Sequence, residues 1–130
     1  MKALFLIVPV VIFLGAIIVF VSRSFSDGGH PRTTRQDFTT LISHLDHYRN
    51  LGRNYPTEEQ GLNALIIRPT TEPIPRDWVE ALPEIPLDPW GKPYCYRFPG
   101  SIKENEPELI SAGPDGKFGT EDDKSSQDDY

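Results

Sequence analysis

Ala3 to Val21 is a run of 19 residues without a charged or polar side chain, broken among its large apolar residues only by Pro9 and Gly15. At about 1.5 Å of rise per residue, a helix of this length nearly spans the roughly 30 Å hydrocarbon core of a bilayer. Lys2 precedes the run and Arg23 follows it. A signal peptide is the competing reading, but its apolar region is usually shorter and ends at a small-x-small site, which Ser24-Phe25-Ser26 matches weakly. The length favours an uncleaved anchor over residues 1–22. Either reading carries Asp27 onward across the membrane. The expected location is a single pass in the inner membrane, with the soluble domain in the periplasm.

Beyond the run the chain is acidic. The formal net charge is −6, and of the 13 bases only Lys2 and Arg23 lie before Asp27, where no acid stands. There is no basic stripe and no basic-aromatic interleaving, so nucleic acid is not an expected partner. No small-molecule substrate is indicated either. Cys95 is the single cysteine, which excludes an intrachain disulfide. Between Tyr94 and Tyr96, in an expected strand, it reads as a buried, inert thiol.

Residues 23–34 form a polar junction with Gly28, Gly29 and Pro31, and a folded domain is expected over 35–124. Phe38, Leu41, Ile42, Leu45 and Tyr48 recur at helical spacing and define one buried face. Arg35, Asp37, Asp46 and Arg49 mostly take the other faces, and Gly52 is the expected stop. His44 and His47 lie three apart on this helix beside Asp46. With no third ligand nearby, they read as solvated surface residues rather than a metal pair. Thr57 and Gln60 fit a capping box ahead of a short helix bearing Leu62, Leu65 and Ile66 and ended by Pro69. Thr70 to Pro89 is too rich in proline for helix or sheet and reads as a long ordered loop, pinned by Trp78, Leu82 and Ile85. Tyr94–Phe98 and Glu108–Ala112 are expected strands. Residues 125–130 read as a flexible acidic tail. The fold class is α+β: a transmembrane helix, then a helix packed on a small antiparallel sheet, then an acidic loop.

That loop, "GPDGKFGTEDD" from Gly113 to Asp123, carries Asp115, Glu121, Asp122 and Asp123. Like charges gathered so tightly repel, so the loop is either solvated or holds a cation. Gly113, Gly116 and Gly119 permit sharp reversals that bring its ends together. Hard cations such as Ca²⁺ take six to eight oxygen ligands, at roughly 2.3–2.6 Å, from carboxylates, carbonyls and water. Asp115, Asp122 and Asp123 are the candidate ligands, with Ser111 and Ser125 as further oxygens. The absence of Cys and His from the loop argues against zinc and copper. The spacing is not that of an EF-hand. Spacing alone leaves the metal site and the solvated turn side by side.

Three ordered stretches, "YRNLGRNYPTEEQGLNALIIRPTTEP", "LPEIPLDPWGKPYCYRFPG" and "ELISAGPDGKFGTEDD", resemble the soluble domain of the type II secretion major pseudopilin family, the G-type subunit. The resemblance covers about Phe38 to Asp123. It implies a long helix on a small antiparallel sheet, Ca²⁺ held at Asp115, Asp122 and Asp123, and assembly into a short periplasmic filament that helps push folded proteins through an outer-membrane pore. The expected partners are then the inner membrane, other pseudopilin or secretion-apparatus subunits, and further copies of this chain. Family members carry a Gly-Phe-Thr-Leu-Ile-Glu type motif after a basic leader, whereas this sequence opens Met1-Lys2-Ala3-Leu4-Phe5. Lys124-Ser125-Ser126 stands where the family has an apolar residue and Trp.

The leading expectation is a membrane-anchored, calcium-stabilised structural subunit that is not an enzyme. The alternative is an anchored periplasmic binding or regulatory module of the same fold that does not polymerise. A hydrolase using Asp122 and Asp123 as paired carboxylates is a third, weaker reading, because adjacent acids seldom converge on one substrate atom.

Overall fold

The computed structural model describes residues 33–128. The expected anchor and residues 23–32 of the expected junction lie outside them. Among the described residues no helix is long and apolar enough to cross a membrane.

The first helix, α1 (Thr34–Gly52), begins at a capping box that the apolar periodicity did not reveal. Thr33 Oγ1 accepts from the Gln36 N–H at 3.3 Å, and Gln36 Oε1 accepts from the Thr33 N–H at 3.2 Å. Phe38, Leu41, Leu45 and Tyr48 are buried as the spacing predicts, with Ile42 packed at the margin. Asp37 is buried too, against expectation, and accepts a 2.6 Å hydrogen bond from the Tyr94 hydroxyl. It stands one turn before Leu41, at the edge of the apolar stripe, so docking of the sheet covers it. The helix closes on Arg53, which takes the left-handed conformation at φ 67°. Gly52 is required for another reason: a Cβ there would lie 2.8 Å from Pro75 Cγ.

The Thr57 capping box forms in full, with Thr57 N to Gln60 Oε1 at 3.0 Å and Gln60 N to Thr57 Oγ1 at 3.1 Å. The α-helix expected behind it does not. Gly61 adopts φ +57°, which ends the first turn, and only a 3₁₀ helix over Leu62–Leu65 follows. Leu62 and Leu65 still reach the core. The Gln60 amide donates onward to the carbonyls of Thr71 (2.6 Å) and Pro73 (3.2 Å), fastening the start of the proline-rich stretch. That stretch is an ordered loop, as expected. Trp78 Nε1 donates to Ala64 O at 2.8 Å, and the Ala81 N–H to Leu65 O at 2.8 Å.

The sheet has strands β1 (Cys95–Arg97), β2 (Glu108–Ser111) and β3 (Lys124–Ser125), antiparallel and adjacent in that order. Tyr96 pairs with Leu109, and Ile110 with Ser125. Here the tail expected over 125–130 is corrected for its described part. Ser125 belongs to β3, and Gln127 is buried. The Gln127 side chain accepts from the N–H groups of Ile102 and Lys103, both at 2.9 Å, and donates to Lys103 O, Glu106 O and Pro107 O. Polar composition predicted fraying, but each polar atom here has a backbone partner.

Leu41, Leu45, Leu65 and Leu109 are fully buried at the centre, each contributing roughly 1.5–3 kcal/mol by removal from water. The Tyr94 ring packs on Phe38 with centroids 5.6 Å apart, and Tyr55 meets Phe98 edge-on at 5.1 Å.

Candidate functional site

Strand β2 delivers Ser111 and Ala112, both buried, to the mouth of the acidic loop. The chain then reverses at Gly113, at φ +62°, where any Cβ would collide with the carbonyl oxygen of Asp122. Only glycine lets the far end of the loop close over its beginning. Gly116 repeats the left-handed geometry at φ +67° and packs against Lys92, whose Cε would lie 3.0 Å from a Cβ there.

The three aspartates predicted as ligands all lie in this loop, each bound to a different donor. Asp115 Oδ1 accepts from the Lys117 N–H at 2.8 Å. Asp122 Oδ2 accepts from the Asp115 N–H at 3.0 Å, which ties the two ends together, and Asp122 Oδ1 accepts from Thr120 Oγ1 at 2.6 Å. These bonds, the Thr120 hydroxyl first and the Asp115 amide next, hold the Asp122 carboxyl below its ordinary pKa. Thr120 escaped the sequence reading, although a hydroxyl two residues before an aspartate in a tight loop is a usable signal. Asp123 Oδ2 accepts from the Gly119 N–H at 2.7 Å. Asp123 Oδ1 is different: it is buried and has no hydrogen-bond partner among the described residues.

In this geometry no group of three His, Cys, Asp or Glu side chains surrounds a common point among the described residues. The loop therefore brings the carboxylates to one segment but holds them apart on its own donors. Ser111 Oγ donates to Asp88 Oδ2 at 2.7 Å, and Ser125 Oγ to Glu108 Oε1 at 2.8 Å, so both hydroxyl protons serve carboxylates outside the loop. Asp122 and Asp123 are turned to separate donors.

The chemistry of this donor set is oxygen only, and it suits a hard cation. A buried, unpaired carboxylate oxygen is costly unless a positive charge or a proton compensates it. Asp123 Oδ1 meets that description, so the residues present fit a bound Ca²⁺.

The other candidates are structural. His44 is half-buried and His47 exposed, and the Asp46 carboxylate between them is used as an acceptor from Tyr55 Oη at 2.6 Å. Cys95 lies half-buried in β1, where burial pushes its thiol pKa up and disfavours the reactive thiolate.

The family described as type II secretion system (T2SS), protein G, matches this chain over residues 24–127. A type II secretion system core protein G from Pectobacterium carotovorum is 37% identical over 123 residues, covering 90% of this chain and 77% of that one. Its counterpart from Pseudomonas aeruginosa is 36% identical over 121 residues, covering 89% and 84%. Among solved structures, the major pseudopilin from the type 2 secretion system of enterohaemorrhagic Escherichia coli has 41% identity and a TM-score of 0.63, over 70% of this chain and 83% of that one. The matched span takes in α1, the three strands and the acidic loop, and the chain belongs to the type II secretion system protein G family.

Proposed function

We propose that this chain is a structural subunit of a type II secretion machine, anchored in the inner membrane by Ala3–Val21, with a periplasmic domain whose C-terminal loop is stabilised by Ca²⁺. The relatives are named core proteins of that system, and the similar solved structure is a major pseudopilin. The partners that follow are other subunits of the apparatus and further copies of this chain. The structural role is the coarser part of this reading and rests on family. The cation rests on one observation, the buried Asp123 Oδ1 without a partner.

Asp115, Asp122 and Asp123 would hold the ion, with loop carbonyls beside them. Bound Ca²⁺ supplies positive charge that cancels repulsion among these carboxylates. The chain contributes the close approach at Gly113, which sets the Asp122 carbonyl at the loop entrance. It also contributes the amides of Asp115, Lys117 and Gly119, which fix how each carboxylate is turned.

The test is thermal melting of the full chain in detergent. Calcium at a hundred times its dissociation constant should stabilise the fold by about 2.7 kcal/mol. Melting should fall on chelation and recover with Ca²⁺ far better than with Mg²⁺, which dehydrates reluctantly and demands a stricter octahedron. Asp123→Asn keeps an acceptor for Gly119 but removes the charge, and should abolish the calcium response. Equal melting temperatures in chelator and in millimolar calcium would make the loop a solvated turn. Crosslinking in cells addresses assembly: ladders of the chain or links to other subunits fit the structural role, while a monomer under all conditions would favour a module that does not polymerise.

A further inference from the structure

Asp88 is buried to 4% exposure, far in sequence from the acidic loop and outside the ligand set. Its Oδ1 accepts from the N–H groups of Trp90 (3.0 Å) and Lys92 (2.7 Å), which shapes the turn Asp88–Lys92. Its own N–H donates to Lys92 O at 2.7 Å, closing that turn. Its Oδ2 accepts from Ser111 Oγ at 2.7 Å. Ser111 Oγ in turn accepts the Gly113 N–H at 3.2 Å.

These bonds converge on the Asp88 carboxylate: the Gly113 amide donates to the Ser111 hydroxyl and that hydroxyl to Oδ2, while the amides of Trp90 and Lys92 donate to Oδ1. A hydroxyl has one proton. Ser111 gives it to Asp88 Oδ2, which leaves a Ser111 lone pair facing the Gly113 N–H. Gly113 is the residue on which the loop closes against Asp122. A second contact joins the same two segments, since the Lys92 side chain packs on Gly116.

We infer that Asp88 and Ser111 are positioning residues for the cation loop, fixing the Gly113 reversal, and that they transmit occupancy of the loop to the turn carrying Trp90. This inference rests on the calcium reading above. Groups that orient metal ligands without touching the ion typically change affinity by roughly 10–100-fold when removed.

The experiment is calcium chloride titration of the full chain in detergent, followed by calorimetry and by amide NMR. In the wild type, calcium should shift the amide signals of Trp90 and Lys92 as well as those of the loop. Ser111→Ala should weaken calcium binding by about tenfold or more and uncouple the Trp90 and Lys92 shifts, with the rest of the spectrum still dispersed. Thr40→Ala removes an exposed hydroxyl bonded within α1, to Gln36 O, and should leave the affinity unchanged. If Ser111→Ala fails to fold, Asp88→Asn serves in its place: it keeps the shape but presents a donor to Ser111 Oγ, and should weaken binding in the same sense. Wild-type binding with unaltered affinity and unaltered Trp90 and Lys92 shifts in the folded variant would overturn the positioning role alone. Absence of calcium binding in the wild type would overturn the calcium reading and this inference with it.

Discussion

Glu108 is held nine-tenths and more out of solvent by the two strands beside it, yet it stays charged. Burial pushes its carboxyl pKa up. The Ser125 hydroxyl, the Ser101 amide and the Arg97 guanidinium 3.5 Å away outweigh that, and the net shift is downward. A carboxyl whose folded pKa is depressed stabilises the fold fully above its unfolded pKa and loses that contribution as pH falls through the folded one. Glu108→Gln should therefore cost roughly 1–3 kcal/mol at neutral pH by leaving buried donors unmatched. Denaturation midpoints in chelator should fall more steeply below about pH 4 for the wild type than for the variant; parallel pH curves would show that Glu108 contributes no charge-dependent stability. At this scale the sequence was only partly legible. Asp115, Asp122 and Asp123 announce themselves because they crowd glycine turns. Asp88, Glu108 and Gln127 act across about twenty positions of chain through hydrogen bonds that no local spacing encodes.

Helix α1 was legible because burial on one side imposes a 3.6-residue rhythm, and its core positions Leu41 and Leu45 are fully buried. Its ends were read less well. Gly52 was expected as a stop and does lie at the last helical position, but what it prevents is a clash with buried Pro75. Helix propensity alone predicts that Gly52→Ala gains about 1 kcal/mol. The contact at 2.8 Å reverses the sign, since overpacking costs roughly 1–3 kcal/mol. A net destabilisation in urea melts is expected, and a gain would mean that Pro75 yields freely. The second expected helix failed at Gly61, where the backbone conformation overrides a complete capping box. Strand β3 was illegible because Lys124-Ser125 has no strand composition. It exists through its ladder with β2 and the Ser126 contacts to Leu109, where the N–H donates to Leu109 O and Oγ accepts from Leu109 N.

For the whole molecule, the apolar run and the acidic remainder predict opposite solvents for the two parts of one chain. The full chain should stay with membranes after a carbonate wash and should be shaved by external protease from spheroplasts; an intact soluble chain in the cytoplasm would contradict the anchor. The order of folding events along the chain follows from Gln127. Its one side chain supplies the partners for the amides of Ile102 and Lys103 and for the carbonyls of Lys103, Glu106 and Pro107. A ribosome making this chain from the amino end completes residues 102–107 long before it reaches 127. Until then the amides of Ile102 and Lys103 lack the Gln127 acceptor, and β2 has no neighbour on its β3 side. Closure of the turn over residues 102–107 thus waits on a side chain more than twenty positions further along the chain. A chain delivered residue by residue behind an amino-terminal anchor leaves that turn unlatched, and locks it only once Gln127 has followed.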